Sequence, residues 1–140
     1  MLVLASVVEK ETGIESDRNI IAGVFVNRLN IDMMLQSDPT TIYGLGDKFD
    51  GDLRRRDLRA DTPYNTYTRK GLPPTPIALS SRASIESVIK PATTEALYFV
   101  ARGDGSSQFS KTLAEHERAV RKYQLGQRSA KKAKPKKDAK

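Results

Sequence analysis

Leu4-Ala-Ser-Val-Val-Glu-Lys-Glu-Thr12 decides the architecture, because its apolar residues recur at the spacing of a helix with one buried side. At about 100° per residue, Leu4, Val7 and Val8 share a face. Glu11 falls on that same face, one helical turn beyond Val7 and Val8. Glu9 points the opposite way, so one carboxylate is expected in solvent and the other against the apolar side. Burial disfavours the ionised form and raises the pKa, which suits a general acid near neutral pH. A purely structural role is also open to Glu11: it could end an amphipathic helix or pair with Arg28 on the next one.

Outward from this segment, the pattern predicts a helix over about residues 2–12 and a second from Asp17 to Leu29, with Ile20, Ile21, Val24, Phe25 and Arg28 on one side. Ser16 is the expected N-cap of the second. The short link at Gly13 and Ile14 makes the pair a hairpin. From Asn30 to Pro76, Pro39, Gly44, Gly46, Gly51, Pro63, Gly71, Pro73, Pro74 and Pro76 interrupt every periodic run. So long an irregular stretch in a compact domain is often functional. Within it, Tyr64, Thr66 and Thr68 alternate as in a short strand. A helix from Arg82 to Lys90 follows, capped by Ser80 or Ser81 and stopped by Pro91. Ala96 to Arg102 is β-like, Gly103-Asp-Gly105 is a turn, and Ser107 to Ser110 pairs back as a hairpin. The last helix starts at Thr112, with Glu115 completing a capping box, and runs to about Leu125. The expected class is α+β: a single domain over residues 1–125 with an N-terminal helical hairpin, a long loop-rich substrate region, a small antiparallel sheet and a C-terminal helix.

Composition narrows the chemistry. The 140 residues contain no Cys and one His, so thiolate metal sites, His-pair metal sites and disulfides are excluded. His116, among Glu115, Glu117 and Arg118, reads as a surface residue. Gly44-Leu-Gly46 lacks both the P-loop Lys and the Rossmann spacing, and neither a metal nor a cofactor is expected. The net charge of +7 is unevenly spread: from Gly126 onward seven Lys or Arg face Asp138 alone, whereas residues 1–125 carry 17 basic and 16 acidic side chains. The segment 126–140 therefore reads as a disordered Lys-rich tail. A nucleic-acid function would have to rest on that tail, and none is expected. No apolar run approaches the ~20 residues of a membrane span. Met1 to Val8 is too short for one and lacks the basic start and cleavage site of a signal peptide.

Two further groupings carry polar chemistry. Leu35-Gln-Ser-Asp-Pro-Thr-Thr-Ile-Tyr43 concentrates hydrogen-bonding side chains. Taken alone it reads as turn chemistry, with Ser37 and Asp38 before Pro39 capping a short helix from Thr40 to Tyr43. Tyr64-Asn-Thr-Tyr67 precedes Gly71-Leu-Pro-Pro74, setting aromatic and amide groups beside a rigid wall. An aromatic face suits the apolar side of a pyranose and an amide its hydroxyls. An edge strand with a stiff turn explains the same residues.

In this order, the three groupings, together with Val26-Asn-Arg-Leu29, Ile42-Tyr-Gly44 and Leu97-Tyr-Phe-Val100, resemble the catalytic domain of the MltG (YceG-like) family of endolytic murein transglycosylases. The resemblance covers about residues 2–125. It implies cleavage of the β-1,4 bond between N-acetylmuramic acid and N-acetylglucosamine in peptidoglycan, leaving a 1,6-anhydromuramic end. The second Glu of the family's Glu-x-Glu-Thr pattern, its acid/base, falls on Glu11. Gln36, Ser37, Asp38, Thr40, Tyr43, Tyr64, Asn65 and Tyr67 become the candidate sugar contacts, with Asn65 and Gln36 foremost for orienting Glu11 or an acetamido group. The family's longer pattern, with a membrane anchor and a LysM-like region ahead of the catalytic domain, implies that this chain is a catalytic fragment. Its parent would be anchored at the outer face of the cytoplasmic membrane, with peptidoglycan synthases as partners and termination of nascent strands as its role. Two readings compete: a non-catalytic peptidoglycan-binding module, for which Glu11 is dispensable, and a two-carboxylate hydrolase using Glu11 and Asp38 at the ~5–5.5 or ~6.5–9.5 Å separations of such enzymes.

Overall fold

A computed structural model describes residues 1–125; the expectation of a disordered tail over 126–140 lies outside the described residues. The class is α+β: six α-helices and one two-stranded antiparallel sheet among the described residues. The described residues gather into two compact units, the first Met1–Thr94 and the second beginning at Glu95.

The first unit is built on the expected hairpin. Helix α1 spans Leu2–Glu11, a 3-10 turn spans Glu15–Asp17, and α2 spans Arg18–Asn30. Leu4, Ala5, Val7 and Val8 of α1 and Ile21, Ala22, Val24 and Phe25 of α2 are buried, each larger side chain contributing about 1.5–3 kcal/mol by leaving water. Helices α3 (Asp38–Leu45), α4 (Arg55–Arg59) and α5 (Arg82–Ile89) follow, and α5 packs against both α1 and α2. Gly23 is required by close approach: a Cβ there would stand 2.6 Å from the Ala92 carbonyl oxygen and 2.9 Å from Thr94 Cγ2. Segment 92–94 is strapped along α2, with Ala92 N–H donating to Asn19 O at 3.1 Å and Asn27 Nδ2 to Thr94 O at 2.7 Å.

Several local expectations need correction. Ser16 does not cap α2; it lies inside the 3-10 turn, which runs into the helix with no side-chain cap bond. The short strand expected over Tyr64–Thr68 is a pair of turns, because the Asn65 carbonyl accepts from the Thr68 and Arg69 N–H groups at 3.2 and 3.0 Å. Helix α3 is longer than Thr40–Tyr43, and Ser37 occupies its N-cap position without a side-chain cap bond. Ser81 does cap α5, accepting from Ser84 N–H at 3.2 Å.

In the second unit, β1 (Tyr98–Ala101) pairs antiparallel with β2 (Ser107–Ser110), Phe99 opposite Phe109. Helix α6 (Leu113–Val120) begins with the expected Thr112/Glu115 capping box and passes into a π-helical turn over Arg121–Leu125. His116 is not a bare surface residue: its ring stacks on Tyr98 with centroids 5.0 Å apart.

Candidate active site

The site forms where the C-terminal end of α1 meets the N-terminal end of α3. Thr12 closes α1, its N–H and Oγ1 both donating to the Val8 carbonyl at 3.0 and 2.6 Å, so Glu11 projects from the last turn. After α2 the chain doubles back around buried Arg28, whose guanidinium donates to Leu35 O at 2.6 Å and Met34 O at 3.3 Å. That reversal delivers Leu35 to the core and Gln36 to a left-handed conformation, φ 51°. A non-glycine residue held there stores backbone strain, as functional sites often do.

Thr66 then fastens this turn. Its carbonyl accepts from Gln36 N–H at 3.2 Å, its Oγ1 accepts from Ser37 N–H at 2.9 Å, and its hydroxyl bonds that of Thr40 at 2.8 Å. Thr40 Oγ1 also lies 2.7 Å from Ser37 O. The next residue, Tyr67, donates its phenol to Asp38 Oδ1 at 2.5 Å. Glu11, Arg28, Ser37, Asp38 and Tyr67 are thereby brought together from α1, α2, α3 and the loop.

The two carboxylates of α1 diverge in environment. The Glu11 pKa is raised from 4.5 to about 7, chiefly by desolvation and in smaller part by the nearby negative charge of Asp38. The Ser37 hydroxyl and the positive charge of Arg28 oppose the rise. Ser37 Oγ is fully buried and makes no hydrogen bond of good geometry, yet it lies close enough to the carboxyl to offset part of that desolvation. A carboxyl near half-protonation at neutral pH can both give and take a proton. Burial and the bond to Asp38 push the Tyr67 phenol well above its ordinary value, so it remains a donor.

Glu9, expected free in solvent, is instead tied to the start of α5. Its Oε1 accepts from Ser81 N–H at 3.0 Å, Ser81 Oγ at 2.8 Å and Ser84 Oγ at 2.7 Å, which hold its pKa near 2.

The other candidates divide by access. Gln36 and Asp38 are exposed, Tyr64 and Tyr67 half-buried, and Tyr43 is 47% exposed. Tyr43 and Tyr64 form a tilted pair with centroids 4.9 Å apart, an aromatic shelf braced by the Tyr64 to Thr75 hydroxyl bond at 2.9 Å. Ser37, Thr40 and Asn65 are 0% exposed and lie behind the exposed candidates. Asn65 has its amide saturated: Nδ2 donates to Leu58 O and Ala60 O at 3.0 and 2.8 Å, and Oδ1 accepts from Tyr67 N–H at 2.8 Å and Thr41 Oγ1 at 3.3 Å. It sets the loop that presents Tyr67. Ser6 was missed: it is 0% exposed on the side of α1 turned away from Leu4, Val7 and Val8, and its Oγ accepts from Ile77 N–H at 3.0 Å, pinning the chain just beyond the Pro-rich wall. A small hydroxyl set between apolar residues in the sequence was the available signal.

Among the described residues, no group of three or more His, Asp or Glu side chains is placed to hold a metal ion, and no helix is long and apolar enough to cross a membrane.

Comparison with known proteins places this geometry in a family. Residues 1–122 match the model of the YceG-like family. The chain is 46% identical over 123 residues to a Bacillus subtilis protein named endolytic murein transglycosylase, covering 88% of this chain and 34% of that protein. It is 39% identical over 128 residues to a Streptococcus pneumoniae protein of the same name, covering 88% of this chain and 23% of that one. A crystal structure of a YceG-like protein from Listeria monocytogenes superposes with a TM-score of 0.76 at 46% identity, over 82% of this chain and 38% of that one. The chain thus spans about a third or less of the length of the curated relatives it matches, and it belongs to the YceG-like family.

Proposed function

We propose that this chain carries the catalytic site of a lytic transglycosylase that cuts the β-1,4 bond between N-acetylmuramic acid and N-acetylglucosamine within peptidoglycan strands. The observation that carries the reading is Glu11, whose desolvated carboxyl titrates at about 7 beside Asp38. Protonated Glu11 gives its proton to the glycosidic oxygen as the muramic C1–O bond breaks, and positive charge develops on C1. The Glu11 carboxylate then removes the proton of the muramic 6-hydroxyl, whose oxygen bonds to C1. One proton is lent and one recovered, no water is consumed, and the product is the 1,6-anhydro sugar.

Within this scheme Asp38, steadied by Tyr67, stabilises the positive charge at C1 electrostatically. Tyr43 and Tyr64 carry a sugar ring, and Gln36 bonds its polar groups. The names of the Bacillus and Streptococcus relatives support the substrate and the endolytic mode. We extend the reading to a parent acting at the outer face of the cytoplasmic membrane, where it ends strands made by peptidoglycan synthases.

A two-carboxylate hydrolase is the second reading, favoured by the nearness of Asp38 to Glu11. Cleavage in isotopically labelled water separates the two. The transglycosylase yields unlabelled products whose muramic end is one water lighter than a reducing end; a hydrolase places labelled oxygen at that end.

A further inference from the structure

Between α3 and α5 the chain is rich in both signs of charge, and three of its seven cations are paired with carboxylates. Arg54 pairs with Asp50 at 2.9 Å, Arg69 with Asp61 at 2.9 Å and Lys70 with Asp32 at 3.0 Å. Of the other four, Lys48 stands alone and three arginines cluster on α4. Arg55, Arg56 and Arg59 are exposed, and among the described residues none forms an ion pair with a carboxylate. Asp57, the acid within α4, is occupied at the start of the helix, where its Oδ2 accepts from Arg54 N–H at 2.9 Å. Arg55 and Arg59 stand one turn apart, as do Arg56 and Arg59, spacings at which like charges repel. A five-residue helix therefore holds three cations against the single negative charge of Asp57, and among the described residues none of the three is in an ion pair.

Their placement is rigid. Buried Asn65 grips the end of α4 through Leu58 O and Ala60 O, and it lies two residues before Tyr67. Helix α4 also packs against α3, which carries Asp38 and Tyr43. The cationic edge is thus held to the same two elements as the site.

We infer that α4 is a binding site for the carboxylates of the peptide stems on the glycan strand, with Arg55, Arg56 and Arg59 as the recognising groups. This rests on the proposed substrate. The pyranose rings of such a strand carry no charge that needs three arginines, whereas each muramic stem carries several carboxylates. A stem of a few residues, at about 3.3 Å per residue, sweeps on the order of 10–15 Å from its sugar. The planar guanidinium fork matches a carboxylate with two parallel hydrogen bonds, which an ammonium does not.

The test measures binding of soluble glycan strands to the chain carrying Glu11→Gln, so that it does not depend on cleavage. Strands bearing their stems are compared with strands stripped of them by an amidase. Stem-bearing strands should bind about five- to tenfold more tightly, as expected of a few exposed charge pairs, and the advantage should shrink between low and high salt. Adding Arg55→Gln, Arg56→Gln and Arg59→Gln together should abolish the advantage while leaving affinity for stripped strands unchanged. Three Arg→Lys changes should keep part of it, and their matching melting curve separates lost recognition from lost folding. An equal stem preference with and without the arginines overturns the inference. So does an equal loss for both strand types, or a loss confined to a phosphate polymer of the wall. A chain that binds stems in this way yet cuts nothing would leave the inference standing and the proposed activity without support.

Discussion

Glu9 and Glu11 stand two residues apart on α1 and are displaced to opposite ends of the carboxylate range, one to about 2 and the other to about 7. The rotation of about 200° between them on the helix decides this. Glu9 faces the start of α5, where three N–H and O–H donors stabilise its charge, while Glu11 faces the turn at Ser37, where burial penalises charge. One sequence motif thus yields an anion held by α5 and a carboxyl poised near neutral pH.

Under the proposed mechanism the raised Glu11 carboxyl sets a pH dependence. With Glu11 as general acid, kcat/KM should hold below pH 7 and fall about tenfold per pH unit above it. Asp38→Asn removes a negative neighbour that raises the Glu11 pKa, so the falling limb should move to lower pH. A pH–rate profile of both proteins measures this, and an unmoved limb would separate Asp38 from Glu11.

The same shift appears in stability. Glu11 is harder to ionise folded than unfolded, so its cost is absent below pH 4.5, grows as pH rises to about 7 and is then complete, at about 3 kcal/mol. Glu11→Gln should therefore raise the melting temperature at pH 8, by roughly 5 °C or more, and change it little at pH 4. For Glu9 the sign reverses: its contribution is present above pH 4.5 and disappears as pH falls through about 2.

Asn65→Ala should destabilise the protein and not merely slow it. It strips partners from Leu58 O, Ala60 O and Tyr67 N–H at a cost of about 2–4 kcal/mol. Denaturant unfolding reads this directly. A loss of glycan binding at unchanged stability would instead return Asn65 to the role of a sugar contact.

Gly44→Ala tests the shelf. The added Cβ would stand 2.5 Å from Thr62 Oγ1 and 3.2 Å from Tyr64 Cβ, forcing α3 away from the loop at about 1–3 kcal/mol. Both the melting temperature and the affinity for glycan should fall, and together.

What could be read from the sequence was whatever a period encodes. The facing of Glu11, the hairpin of α1 and α2, the Ser81 and Thr112 caps and the β1–β2 pairing follow from spacing and cap chemistry alone. Tertiary hydrogen bonding was not legible: Asn65 has the same composition whether it grips Ala60 or a sugar, and only burial distinguishes them. The alternation at Tyr64, Thr66 and Thr68 looked like a strand because turn-forming hydrogen bonds leave no periodic trace. Helix α4 escaped because five residues, four of them charged, carry no apolar repeat. Glu9 illustrates the limit of a helical wheel, which gives a direction and not what waits there.

Mass analysis of glycan strands incubated with the chain, and separately with Glu11→Gln, tests the central assignment most directly. Muramic ends one water lighter than reducing ends should form with the unaltered chain and be absent with Glu11→Gln. Anhydro products persisting in Glu11→Gln, or reducing ends in their place, would contradict it.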